Sequence, residues 1–373
     1  MKQPLSFPAS PEGDESAPRS KGPRRYSKRN LLLIRLGLAL GMPMIILVVI
    51  EFVLRVVSTG SFFLAESNPH FLGRDGMVRL VPNTRTWWYG NYYQINSNGF
   101  RMTHEVGPKR GFRILGIGDS VTLGMGVTRT EDVWPNRLET IAHQRGFTHV
   151  EVINSGVQGW NLLVGDNSTV LPAQYTRFVS EDGPRLQPDL VVYCVCLNDV
   201  PSAITETFVT DNTRNKAHFK LFPEATREWF KRKAFYRLAR DSYREARFRK
   251  LDFASLLNVP ESDVFWAKVS EELGRLKRAT ESLHATLYCV IVPFSYEVLP
   301  SNKKLLDINQ RWHAALDHNQ IPWVDITKSF NETNVLEYYA LGDYIHLNAK
   351  GHHLIADETL RLIEAGLSRP RSP

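Results

Sequence analysis

The sequence predicts an α/β protein: a three-layer α/β/α sandwich on a five-stranded parallel sheet, preceded by one transmembrane helix. Three observations point there. Five short, near-continuously apolar runs read as buried strands: FRILGIG from Phe112, HVEVIN from His149, DLVVYCVCL from Asp189, LYCVIVP from Leu287 and IPWVDI from Ile321. Longer helical patterns alternate with them, which calls for crossovers and hence parallel pairing with both faces covered. Ahead of all this runs an apolar stretch from Leu31 to Val57.

Taken in order, residues 1–30 are rich in Pro, Ser and charge, with Lys21, Arg24, Arg25, Lys28 and Arg29 crowding their end. Such a segment reads as a disordered basic tail. At about 1.5 Å per residue, a helix over residues 31–57 reaches roughly 40 Å, enough to cross a hydrocarbon core of about 30 Å. Arg35 near one end can snorkel, and Glu51 and Arg55 near the other, four apart, can pair on one face. Pro43 is tolerable in a membrane helix. The competing reading is a cleaved signal peptide, with small residues at Ser58 to Gly60; the apolar run, however, exceeds the usual h-region of about 7 to 15 residues. Basic residues before the span and not after it place the N-terminus in the cytoplasm. Everything beyond residue 60 then lies outside, in the periplasm if the cell is Gram-negative.

Residues 61–110 carry Trp87, Trp88, Tyr89, Tyr92, Tyr93 and Phe100 among Asn and Gly, a pattern of short strands and turns in which Asn98-Gly99 is a hairpin signal. This aromatic-rich extension is expected to pack on the main body or lie near the membrane interface, a sugar-binding surface being the alternative. Residues 111–367 form the sandwich domain, in which about 202–285 is an oversized, chiefly helical crossover. There Lys231, Arg232, Lys233, Arg237, Arg240, Arg244 and Arg247 form either a solvated face or a surface for anionic headgroups or an acidic polysaccharide. Phe235, Tyr236 and Leu238 are expected to dock this helix onto the body.

The formal charge of +7 over 373 residues invites a nucleic-acid reading. Much of the excess, however, lies in the tail and the crossover, and there is neither zinc-ligand spacing nor a basic-aromatic sheet motif, so nucleic acid is not an expected partner. Cys194, Cys196 and Cys289 sit in apolar strands and read as small buried hydrophobes; no metal or cofactor site is expected.

In an open parallel sheet the ligand site lies beyond the carboxyl ends of the strands. Ser120 follows the first strand, Gly156 and Gly159 the second, Asn198 the third, and Asp343 and His346 come after the fifth, just before the last helix. A serine hydroxyl is a poor nucleophile unless a base lies within hydrogen-bond reach and donors await the charge on the carbonyl oxygen. Neutral His346 can take the serine proton and return it to a leaving alcohol, and Asp343, three residues earlier, can fix its tautomer. The N–H groups of Ser120 and Gly159 and the side-chain amide of Asn198 are candidate oxyanion donors. The competing readings are ordinary ones: Asp119 and Ser120 as turn or cap, Asn198 as a turn residue, His346 as structural. His352 and His353 are read as structural.

With these residues the chain resembles the SGNH hydrolases, or GDSL-type esterases. Gly118-Asp119-Ser120 resembles their first block, Asn154 to Gly159 the second, Leu197-Asn198-Asp199 the third and Asp343-Tyr344-Ile345-His346 the last, all in order. The resemblance covers roughly residues 110–367. It implies a flavodoxin-like fold, Ser120, His346 and Asp343 as the catalytic triad, Ser120, Gly159 and Asn198 as the oxyanion hole, and no cofactor. Departures are Leu197, where many members have Gly, and the long crossover. The Gly-x-Ser-x-Gly elbow is absent because Thr122 stands at its second glycine, and the dinucleotide fingerprint fails at Val121. The expected function is a membrane-anchored serine esterase acting on acyl or acetyl esters, with an envelope glycan or lipid as the plausible substrate. An O-acyltransferase with the same triad and a non-catalytic envelope glycan-binding protein are the alternatives.

Overall fold

The computed structural model describes residues 27–59, 67–88, 91–163, 174–196, 199, 263–298, 303–331, 333–343 and 345–367, with single positions and short pieces between 223 and 243. Helix α1 (Lys28–Thr59) contains a 29-residue stretch, Lys28–Val56, of mean hydropathy 2.5, long and apolar enough to cross a membrane or to serve as a signal sequence. Its side chains from Leu31 to Val49 are almost all exposed, and Pro43 lies within it. Near its end Arg55 Nε donates to Glu51 Oε1 at 2.7 Å, the pair that the spacing predicts. The other carboxylate oxygen accepts from Phe235 N–H in the crossover at 3.2 Å. Phe235 and Tyr236 are half-buried, but Leu238 stays 47% exposed and does not join the docking face expected of it. Of the basic residues expected on that helix, only Lys233 lies among the described residues; its ammonium sits 4.4 Å from the centre of the Trp229 ring.

Strands β1 (His70–Leu72) and β2 (Val78–Leu80) form one antiparallel pair, and β3 (Thr84–Trp88) and β4 (Asn91–Ile95) another. The Asn98-Gly99 step makes a tight turn: Gly99, at φ +83, donates to Asn96 O, and an antiparallel bridge joins Ile95 to Arg101. Leu80, Tyr93 and Ile95 of these short sheets form a small buried cluster with Leu123, and the sheets are fixed to the larger body. Met77, Phe100 and Met102 enter its core, Trp160 Nε1 donates to Val78 O at 3.0 Å, and Arg79 pairs with Asp182.

That body is built on β5 (Phe112–Ile117), β6 (Val150–Asn154), β7 (Leu190–Val195), β8 (Thr286–Ile291) and β9 (Trp323–Asp325), all parallel, in spatial order β6-β5-β7-β8-β9. Every side chain of β7, at the centre, is buried, which is why it reads as an unbroken apolar run. Helices α3 (Trp134–Gln144) and α7 (Ala349–Leu367) pack together, as do α4 (Gln174–Leu186), α5 (Asp263–Glu281) and α6 (Lys303–His318). The strand order requires this division. The β5-to-β6 connection runs one way across the sheet and the later ones the other, so right-handed crossovers put α3 on one face and α4 to α6 on the opposite one. The order reverses at β5, and the crevice between the carboxyl ends of β5 and β7 is where such a sheet holds its ligand. The predicted α/β/α sandwich, with an apolar helix before it, is the architecture found.

Candidate active site

Beyond Ile117 the chain turns through Gly118 and Asp119 into the four-residue helix α2 (Ser120–Leu123). Asp119 caps this helix, its Oδ1 accepting from Val121 N–H at 2.8 Å. The loop after β6 closes on the same turn. Val157 N–H donates to Gly118 O at 3.2 Å and Ser155 Oγ to Gly116 O at 2.8 Å. A Cβ on Gly156 would collide with the backbone of Thr122 and Leu123, so a glycine is required for the approach.

From the far end of the chain, the segment after β9 arrives beside this turn. Its two arms are joined by a bridge between Tyr339 and Leu347 and by Ala340 N–H donating to His346 O at 2.9 Å. Asp343 Oδ1 accepts from the N–H groups of Ile345 and His346 at 2.9 and 3.0 Å, which aims Oδ2 at His346 Nδ1, 2.8 Å away. His346 Nε2 then lies 3.0 Å from Ser120 Oγ. With the carboxylate holding the proton on Nδ1, Nε2 is left to accept from the serine hydroxyl. The hydroxyl has one proton and a second acceptor, Asp119 Oδ2, at 3.3 Å; the shorter contact is to the imidazole. Ser120 is 6% exposed and the His346 side chain 13%, so both are largely enclosed, with a small part of each reaching the surface.

The electrostatics follow from this packing. Burial opposes ionisation of Asp343, but the adjoining His346 and the two N–H donors outweigh it and hold the carboxyl down at about 2. Burial likewise disfavours the His346 imidazolium, yet the Asp343 carboxylate more than offsets this and raises the imidazole above its ordinary 6.5. Behind Ser120, burial and the nearby Asp119 charge push Asp199 up to about 8; Tyr175 Oη donates to it at 2.9 Å and Cys196 N–H at 3.0 Å.

Of the expected oxyanion donors, Gly159 lies in the turn after β6 at φ +80, with open space where a Cβ would stand. Asn198 lies outside the described residues; Cys196 and Asp199 on either side are hydrogen-bonded to each other. His352 is buried and accepts from Trp134 N–H at 3.1 Å through Nδ1, and burial drives its pKa down to about 3. His353 Nε2 lies 3.2 Å from Asp132 Oδ1. Cys194, Cys196 and Cys289 are buried thiols, and among the described residues no cluster of His, Cys, Asp and Glu could hold a metal. A separate polar cleft of about 360 Å³, lined by Asn83, Arg85, Gln94 and His104 among others, shares no residue with this site. Asp199, which the sequence places in the third block without a role, is a buried acid behind the turn. Two participants in the local geometry were missed in the sequence: Arg101 is fully buried against the turn, and Gly126 would bring a Cβ within 2.6 Å of Leu347 O. The only signal was a glycine-rich LGMG string after the serine.

A parallel α/β/α sandwich with a Ser–His–Asp hydrogen-bonded chain on its carboxyl rim defines a class of hydrolase, and the family comparison agrees with it. Residues 117–354 match the GDSL-like lipase/acylhydrolase family, and the chain belongs to that family of ester hydrolases. Among solved structures it is similar to a catalytic mutant of Axe2, an acetylxylan esterase from Geobacillus stearothermophilus, with 16% identity, covering 70% of this chain and 100% of that one, at a TM-score of 0.40. It is also similar to Est24, a carbohydrate acetylesterase from Sinorhizobium meliloti (11% identity, 68% and 99% coverage, TM-score 0.40). A third is TesA (11% identity, 68% and 98% coverage, TM-score 0.39). No curated protein matches the chain.

Proposed function

We propose that this ester hydrolase is a membrane-anchored serine esterase that works through a covalent acyl-enzyme. The observation that carries the reading is the unbroken chain from Asp343 Oδ2 through His346 to Ser120 Oγ, at 2.8 and 3.0 Å. Ser120 Oγ attacks the ester carbonyl as its proton passes to His346 Nε2, and the imidazolium is stabilised by Asp343. The tetrahedral oxyanion is held by Ser120 N–H, Gly159 N–H and the Asn198 amide. Collapse expels the alcohol, which takes the proton from His346; water, activated by the same imidazole, then releases the acid and restores the hydroxyl. Helix α1 anchors the chain, with the basic residues before it on the cytoplasmic side and the 111–367 domain outside. An acyl or acetyl ester on an envelope glycan or lipid is the substrate that this placement favours.

The test is hydrolysis of p-nitrophenyl acetate by the full chain in detergent, beside Ser120→Ala. Turnover lost in the variant, with a covalent adduct on Ser120 from a fluorophosphonate in the parent, is expected; equal turnover would remove the triad. For the anchor, alkaline carbonate extraction should leave the chain in the membrane pellet with its N-terminus intact, and a soluble, shortened product would show a cleaved signal instead.

A further inference from the structure

Arg101 has no part in the chemistry proposed above, yet it is 0% exposed, and among the described residues no carboxylate lies within ion-pair distance of it. Its guanidinium instead collects backbone carbonyls. Nη1 donates to Leu123 O at 3.0 Å and Gly124 O at 2.6 Å, and Nη2 to Val127 O at 2.7 Å and Tyr92 O at 2.6 Å. The ring of Tyr93 covers the group, 4.3 Å from Cζ. A cation buried out of ion-pair reach of the described carboxylates is costly, and burial lowers the pKa of this one to about 10, the more distant Glu131 only partly opposing the shift.

Where those carbonyls lie explains the arrangement. Three of the four belong to the stretch directly after Ser120, where the short helix α2 ends at Gly124 in a left-handed cap. Carbonyls at the end of a helix have no donors within it, and only a planar fork can serve several in divergent directions at once. The same stretch also abuts the histidine segment: a Cβ on Gly126 would stand 2.6 Å from Leu347 O and 3.2 Å from His346 Cβ. Gly124 and Val127, whose carbonyls Arg101 grips, thus flank the residue that meets the histidine segment. The clamp is itself held, since Arg101 O accepts from Asn136 Nδ2 at 3.2 Å and the residue is bridged to Ile95.

We propose that Arg101 is a positioning residue for the ester hydrolysis: by clamping the carbonyls of Leu123, Gly124 and Val127 it fixes the turn that presents the Ser120 hydroxyl to His346. This rests on the reading of Ser120 as nucleophile. The aromatic extension thereby becomes part of the working enzyme, because the clamp is attached to it.

The experiment measures p-nitrophenyl acetate hydrolysis by the full chain in detergent for Arg101→Lys, Arg101→Ala and Ser120→Ala, with melting temperatures alongside. A lysine keeps the charge but cannot span both pairs of carbonyls. The Arg101→Lys variant is expected to fold and to lose about 100-fold in kcat with KM within about twofold, the signature of a misplaced reacting group rather than lost binding. Millimolar guanidinium chloride should restore several-fold activity to Arg101→Ala, and ammonium or sodium chloride at the same concentration should not. A folded Arg101→Lys with parental kcat overturns the proposal, and so does a loss that tracks the folded fraction and is not rescued by guanidinium. If neither Arg101 variant folds, Tyr93→Leu, which removes the ring over the guanidinium and leaves its acceptors, decides: kcat lowered several-fold at constant KM supports the clamp, and parental kcat overturns it. Retained activity in Ser120→Ala is a separate failure, that of the nucleophile.

Discussion

The two ends of the central sheet hold polar groups on opposite terms. At the amino edge, Arg113 is 2% exposed and fully engaged: Nε meets Glu151 at 2.8 Å, Nη1 Leu186 O at 2.6 Å and Nη2 Gly107 O at 2.8 Å. Beside it Asp189 accepts from Arg113 N–H at 2.7 Å and pairs with Lys109. At the carboxyl rim, Ser120 keeps a proton with two acceptors in reach, and the Asn154 amide nitrogen is buried with no hydrogen-bond partner among the described residues. Saturated polar groups stabilise a fold, whereas groups with capacity left over are available to a substrate. Hydrogen-bond accounting thus sets the saturated amino end apart from the rim proposed as the catalytic site.

The largest effect expected from breaking that contrast is at the rim. Ser120→Ala should lower kcat/KM by about 10⁴-fold or more while leaving the melting temperature within a few degrees, since one oxygen is lost and no core atom; ester turnover and thermal denaturation measured on one preparation check it. Asp343→Asn should follow, with a loss of about 10³- to 10⁴-fold as the imidazole loses its fixed tautomer. It also carries a pH signature. The general base must be neutral, and in the parent Asp343 raises His346 above 6.5, so kcat/KM should climb with pH through an apparent pKa above that value. Removing the carboxylate removes the support for the imidazolium, so the acid limb in Asp343→Asn should move to lower pH. A limb that stays in place, or moves up, would mean that another group titrates there.

At the amino edge the expected effect is smaller and of another kind. Asp189→Ala leaves Arg113 N–H and the Lys109 ammonium without their acceptor and should cost about 3 kcal/mol of stability, read by urea denaturation. Turnover per folded molecule should stay at the parental value, because β5, six residues long, separates the two ends by roughly 20 Å. A fall in kcat comparable to the loss of stability would erase the distinction between the two ends.

The fold was legible because its signals are local. Strands buried on both faces must be apolar throughout, as β7 is, and their alternation with helices calls for a parallel sheet covered on both faces, the strand order following only from the family resemblance. Ser120 was legible because it follows the end of a strand, and Asp343 and His346 because they stand three residues apart in the loop before the last helix, a spacing that lets carboxylate and imidazole meet. Arg101 was not, since in NGFR it looks like an arginine in a surface turn; it is buried only because β3, β4 and the turn after them settle on α2. Leu238 failed in the opposite sense. An apolar side chain at helical spacing predicts a docked face, but 47% of it remains exposed, and spacing names a face without saying what covers it.

The smallest effect expected concerns the cysteines, and it tests whether the interior between the two ends is as closed as the saturated edge implies. Cys194, Cys196 and Cys289 lie on β7, just beyond it and on β8, each at most 1% exposed. Burial pushes all three thiols up, and neighbouring acids add to the rise, Asp119 and Asp199 at Cys194 and Cys196 and Asp199 at Cys289. At neutral pH essentially no thiolate is present and no reagent can reach one. Incubation with a maleimide should therefore leave the native chain unlabelled and fully active, and all three thiols should react once guanidinium chloride unfolds it. Rapid labelling of Cys196 in the native state would show that the packing around Asp199 opens; Ser120 would then stand on a mobile support.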